Sequence, residues 1–182
     1  MKIGRLLLRI TVGTLFVGHG TQKLFGWFGG HGLDATAAGF EQLGMRPGRR
    51  NAIAAGAAEA GGGAALALGL ATPLTASVLT GTMITAVHRV HLKNGPWLSN
   101  GGYEYNAVLI AAVIALAEVG PGKVSLDHAL GKERSGAGWA LAALALGAAG
   151  AAGVHLLTES APAPAPAEEP AGSEEPVAEP AQ

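Results

Sequence analysis

Apolar residues gather along this chain in five runs separated by Gly, Pro and charge: about Leu6 to Phe25, Asn51 to Ala71, Leu74 to His88, Tyr105 to Val119 and Gly138 to Leu157. A helix that crosses a bilayer needs about 20 mostly apolar residues. Each run is near that length, and the third reaches it by extending to about Leu92. None keeps a clear period of two or of 3.6, so the water-facing stripe of a surface helix is missing, as expected of helices surrounded by lipid and by one another. The second run is almost all Ala and Gly. Small side chains let backbones approach closely, which places this helix inside the bundle. The pattern predicts an all-α, polytopic transmembrane helix bundle.

The connections fit that reading. Pro73 suits a tight turn between the second and third runs, and Gly120-Pro121-Gly122 stops the fourth. Between the first and second, Gly26 to Arg50 mixes Trp27, Phe28, Phe40, Leu43 and Met45 with Gly and polar residues, as in a partly ordered segment lying at an interface. The basic start Met1-Lys2-Ile3-Gly4-Arg5 before an apolar run has the look of a secretory signal, but no small-residue cleavage site follows Gly18-His19-Gly20, so the first helix is expected to be retained. From Ser160 onward, Ala-Pro repeats and Glu pairs bury too little apolar surface to offset ordering entropy, which predicts a disordered tail.

Composition sharpens the picture. The chain is 49% hydrophobic and 14% charged with 29 glycines, less charge than a soluble enzyme carries. Residues 1–158 hold all 12 Lys and Arg against 7 acids, a charge of +5, while the tail holds the other 6 acids and no base. The absence of cysteine excludes disulfides, zinc-cysteine sites, cysteine-ligated iron-sulfur clusters and thiol nucleophiles. Redox chemistry would have to come from a cofactor or a partner.

With the N-terminal side called A and the opposite side B, alternating helices bring a polar set together at B. It comprises His19, Gln22 and Lys23 at the end of the first helix, His88, Arg89 and His91 at the end of the third, and Glu104 and Asn106 at the start of the fourth. Glu59 joins them from about 12 Å down the second helix. Lys and Arg divide six to each side; the N-terminal basic cluster favours side A inside.

Glu59 is the most informative residue, because a carboxylate within lipid is costly, faces the bundle interior and takes a partner. His19, Lys23 and His88 are the candidates. The alternative is a protonated Glu that joins helices by a hydrogen bond worth about 1 to 2 kcal/mol and does no chemistry. His19, Gln22 and Lys23 share one helix face by their i, i+3, i+4 spacing, though Lys23 could equally snorkel to the interface. His88 and His91 flank Arg89 at a spacing that suits metal sharing or proton relay, with the Arg able to hold an anionic or quinone-carbonyl oxygen; the alternative is that all three are boundary anchors. Glu104 is explained by a first-turn helix dipole, but it also faces His88 and His91 across a short loop. No phosphate loop, G-x-S-x-G, H-E-x-x-H or basic-aromatic nucleic-acid patch occurs, and no metal site is assigned.

The residues also carry a family likeness. Leu8-Arg9 through Phe16, Gly18-His19-Gly20, Gln22-Lys23-Leu24-Phe25, Glu59 with Gly62-Gly63 and Leu68-Gly69-Leu70, His88, Gly101-Gly102-Tyr103-Glu104-Tyr105, Gly120-Pro121-Gly122 and Ser125-Leu126-Asp127 occur in an order that resembles the DoxX family of bacterial membrane proteins. The resemblance covers about residues 5–131. It implies a four-helix domain over 1–131 in the bacterial inner membrane, to which this chain adds a fifth transmembrane helix over 132–158 and the tail over 159–182. It also implies a redox association, since relatives are linked to quinol-oxidising or thiosulfate-to-quinone activity and to mycobacterial complexes with superoxide dismutase and a sulfurtransferase.

The expected function is therefore an accessory or anchoring subunit of a quinone-linked or oxidative-stress-related membrane oxidoreductase complex rather than an independent catalyst. Its expected cofactor is quinone, with none covalently bound. Its expected partners are the lipid bilayer and soluble or membrane redox proteins, not nucleic acid. The alternative is a membrane binding or permeation module for a small hydrophobic or weakly acidic molecule, in which Glu59 and Lys23 couple binding to protonation.

Overall fold

The computed structural model describes residues 2–159, and the tail expected to be disordered lies outside them apart from Glu159. The described residues form helices α1 (Ile3–Phe25), α2 (Gly32–Gln42), α3 (Gly48–Leu68), α4 (Thr72–Ala86), α5 (Glu104–Val119), α6 (Leu126–Ala129) and α7 (Ala137–Glu159), with no strand among them. All five apolar runs are helical. A π-helical turn, Val87–His91, continues α4 and supplies the added length expected of the third run. The segment between the first two runs is more ordered than expected: a 3₁₀ turn at Trp27–Gly29 leads into α2, which packs against α1 and α3.

Helices α1, α3, α4 and α5 close a ring through the pairs α1–α3, α3–α4, α4–α5 and α5–α1, and α7 lies outside in the groove between α4 and α5. The shared core is Val12 and Phe16 of α1, Leu66 of α3, Leu79 and Met83 of α4, and Leu109, Val113 and Leu116 of α5. The antiparallel α1–α3 pair meets through glycine. A Cβ on Gly13 would lie 2.6 Å from the Gly63 carbonyl oxygen, and one on Gly20 would lie 2.5 Å from that of Gly56. No larger residue fits at this separation, which is what small residues at helix contacts are for. The small-residue helix α3 is not wholly interior, however: Ile53 and Leu68 face outward while Gly56, Glu59 and Gly63 face in.

Among the described residues α7 alone is long and apolar enough to cross a membrane by length and composition. Helices α4 and α5 have 15 and 16 residues, and α1 and α3 dilute their apolar length with Gly, Ala and charge. The five spans expected from the sequence thus reduce, on this criterion, to one.

The A end is tied shut by two buried ions. Arg9, 2% exposed, donates to the carbonyls of Ala67, Pro121 and Val124, joining α1 to the end of α3 and to the loop after α5. Gly69, with φ at 65°, ends α3 where a side chain would strike the Arg9 guanidinium. The residue before α4, Ala71, offers no capping side chain. Asp127 of α6 does the capping from across the turn: its carboxylate accepts from the Ala71 N–H at 2.7 Å, the Thr72 N–H at 3.0 Å and the Thr72 hydroxyl at 2.9 Å. A carboxylate at a helix N-terminus satisfies orphan donors and the dipole together.

Replacing Asp127 by Ala is expected to cost about 3 kcal/mol, because three donors lose a charged acceptor. Glu133, whose partner His128 is at the surface, should be replaceable by Ala within about 0.5 kcal/mol. Thermal unfolding of both variants in detergent compares them directly; equal midpoints would contradict this account of the A end.

Candidate functional site

Glu59 is 3% exposed and sits on the inner face of α3, one turn from the Gly56 contact with α1. That contact brings Lys23 of α1 within reach. Its Nζ donates to the Glu59 carboxylate at 2.6 Å, with the lysine side chain 27% exposed. Of the three partners considered from sequence, Lys23 is the one bonded. Burying one charge is tolerable when the other is so close, whereas a lone buried carboxylate is not.

The pair forms part of the wall of a cavity of about 730 Å³ between α1, α3, α4 and α5 at the B end. The walls are mostly apolar. Ala54, Ala55 and Ala58 line the α3 side, Val78 and Met83 the α4 side, and Phe40, Leu43 and Met45 of the α2 region lie nearest the end. The larger polar side chains reaching it are His19, Lys23, Asn51, Glu59, Arg89, His91, Tyr105 and Asn106. His19 lies edge-on to the Tyr105 ring with centroids 6.1 Å apart. Asn106 donates to the Met83 sulfur at 3.4 Å. His91 Nδ1 lies 2.7 Å from the Gly101 carbonyl oxygen, which orients its ring.

Three other candidates lie away from the cavity. Gln22 donates to the Phe28 carbonyl at 3.2 Å, closing the turn after α1. Glu104 accepts from the Leu98 N–H at 2.7 Å and braces the loop before α5 rather than meeting His88 and His91. His88 packs on His155 of α7 with ring centroids 4.6 Å apart. The seven candidates therefore separate by wall: Glu59, His19, Lys23 and His91 line the cavity, while Gln22, Glu104 and His88 hold its surroundings. Among the described residues no three His, Asp or Glu side chains are grouped as metal ligands.

Helix α7 supplies an outer wall, although the sequence reading places none of its residues at the site. Leu146, Gly147, Gly150, Ala151 and Val154 line the cavity, and Gly147 packs so closely on α4 that a Cβ there would lie 2.8 Å from the Ser77 carbonyl oxygen. Arg89 fixes the far end of that contact, donating to the Thr158 hydroxyl at 2.7 Å. The spacing of Gly147 and Gly150 was the available signal.

The DoxX family model matches residues 4–92, which includes α1, α3, α4, Lys23, Glu59 and His91. A protein of Bacillus subtilis (strain 168) named "Putative oxidoreductase CatD" is 32% identical over 126 residues, covering 69% of this chain and 86% of its own length. The chain belongs to the DoxX family. No solved structure matches it. The family match ends at residue 92, so α7 and its wall of the cavity lie beyond the DoxX match.

The two halves of the ion pair differ in burial, and their removal should differ in cost. Lys23→Met leaves Glu59 without its counter-ion in an apolar wall and is expected to cost about 3 kcal/mol. Glu59→Gln leaves a partly exposed ammonium free to turn toward water and is expected to cost about 1 kcal/mol. The double variant should recover much of the Lys23→Met loss. Thermal unfolding of the three proteins in detergent measures this, and equal losses from the two single variants would contradict it.

Proposed function

We propose that this DoxX-family protein is a multi-pass protein of the bacterial inner membrane that serves as an accessory or anchoring subunit of a quinone-linked or oxidative-stress-related oxidoreductase complex. The observation that carries the proposal is the buried Glu59 carboxylate paired with Lys23 in the wall of an apolar cavity. Small-molecule sites are commonly concave and mostly apolar, with a few placed polar groups and volumes of about 300–1,000 Å³; this cavity has those features. The relative from Bacillus subtilis is named an oxidoreductase.

The membrane reading is supported by the outside of the bundle. Leu7, Leu8, Ile10 and Leu15 of α1, Ile53 of α3, Val108 of α5, and Leu141, Leu144 and Leu156 of α7 all face outward. So many exposed large apolar side chains are costly in water and favourable in lipid. A 15-residue α4 continued by its π turn makes a rod of about 30 Å, near the hydrocarbon thickness.

A quinone needs two electrons and two protons to become a quinol. In this proposal the partner would supply the electrons, the Lys23–Glu59 pair would pass on one proton at a time and be reloaded from water through the open B end, and the alanine and valine walls would take the apolar part of the molecule. His19 and Tyr105 form the remaining polar edge.

In a strain whose own copy is deleted, Glu59→Gln expressed at wild-type level should lower quinone-dependent respiration and tolerance to redox-cycling compounds by about tenfold or more, on the order of a lost acid-base group. Quinone recovered by solvent extraction from the purified variant should fall in parallel, and Glu133→Gln at the A end should behave as wild type. Normal respiration with Glu59→Gln would overturn the proposal. Uptake of a weak acid by the purified protein in vesicles, without any partner, would favour the permeation reading instead.

A further inference from the structure

We propose that the A end carries a binding site for an anionic phospholipid, held in the trench between α4 and α7 by Lys132, Arg134 and Trp139. The inference rests on the membrane reading above and is independent of quinone.

A second cavity, of about 400 Å³, opens between α4 and α7 at the A end. Its floor is apolar: Leu70, Pro73 and Leu74 at the start of α4, and Ala142, Ala143 and Leu146 on α7. Its rim is basic. Lys132 and Arg134 come from the loop after α6, and the Arg134 guanidinium lies over the Trp139 ring at 5.0 Å from its centroid. Stacking on an aromatic face holds the guanidinium in place while leaving its N–H groups free to donate.

The nearby carboxylates are already engaged. Asp127 lines the trench, but both of its oxygens accept from Ala71 and Thr72. Glu133, between the two cations in sequence, is paired with His128 at 2.9 Å. Among the described residues no ion pair forms to Lys132 or Arg134. Two cations without a carboxylate partner at the mouth of an apolar trench complement a phosphodiester headgroup with an acyl chain below it. Trp139 is an amphipathic ring of the kind favoured at headgroup level.

The trench also has somewhere for the chain to go. Leu74, Ser77 and Leu146 border both this cavity and the larger one, so its apolar end meets the first cavity's outer wall along the α4–α7 seam. A zwitterionic lipid would offer the same tail but a headgroup whose own ammonium opposes the two cations.

The test is native mass spectrometry of the full chain in mild detergent, titrated with phosphatidylglycerol, phosphatidylcholine or inorganic phosphate. Wild type should retain phosphatidylglycerol over phosphatidylcholine by about tenfold or more, the order expected from two basic side chains near an anionic group, and excess inorganic phosphate should not displace it. Replacing both Lys132 and Arg134 by Ala should abolish the preference. Lys2→Ala with Lys123→Ala removes the same charge from the same end outside the trench and should leave it intact. Ala142→Phe, which fills the trench and keeps both cations, should weaken retention comparably. Equal loss with the Lys2/Lys123 variant would show general charge attraction only, no effect of Ala142→Phe would remove the trench from the account, and displacement by phosphate would mean the tail is not recognised; each overturns the proposal. Thermal midpoints without added lipid separate folding defects from binding defects. Carbonate-resistant sedimentation of wild-type membranes reports on the membrane reading separately.

Discussion

The separation between α1 and α3 governs what the rest of the bundle can do. Gly13 against Gly63, and Gly20 against Gly56, bring two helix backbones nearly into contact. At that distance a lysine on α1 can reach across to a carboxylate on α3, so the buried carboxylate has a hydrogen-bond donor beside it. With larger side chains in the seam the helices would stand apart. Glu59 would then face an apolar cavity alone, an arrangement whose cost rises steeply as solvent is excluded.

The two ends of the bundle are built on different principles. At the A end, Arg9 donates to three backbone carbonyls and Asp127 accepts from two backbone amides and the Thr72 hydroxyl, so the turns there are fixed by charged side chains working as local braces. At the B end the backbone is held by separate, scattered contacts such as Gln22 to Phe28 and Glu104 to Leu98. Its buried charges are turned instead toward an opening. Within the four-helix ring one end is closed and the other hollow, while the A-end trench lies outside the ring between α4 and α7.

Hydrophobic run length was enough to find the five long helices, and the depth of Glu59 along its helix was enough to single it out. The same approach could not choose between Lys23, His19 and His88 as its partner, because all three end on one side and the choice depends on how closely α1 and α3 pack. That closeness is set by glycines whose effect appears only in pairs. Gln22, Glu104 and His88 were grouped with the cavity residues because they share its end of the bundle. Side-chain direction, which depends on the rotation of each helix about its axis, turns them elsewhere. Asp127 as a cap for α4 was hidden by sequence separation: a capping residue is normally sought next to its helix, and this one comes from more than fifty positions away.

Helix α7 runs parallel to α4, from Lys132 and Arg134 at one end to Thr158 beside Arg89 at the other. A ring of four alternating helices returns the chain to the side on which it started; a fifth carries it back across. Helix α7 therefore ends on the face that holds Lys23, Arg46, Arg49, Arg50 and Arg89. The added helix thereby brings the last described turn from the braced face of the ring to the mouth of its hollow one, beside Arg89.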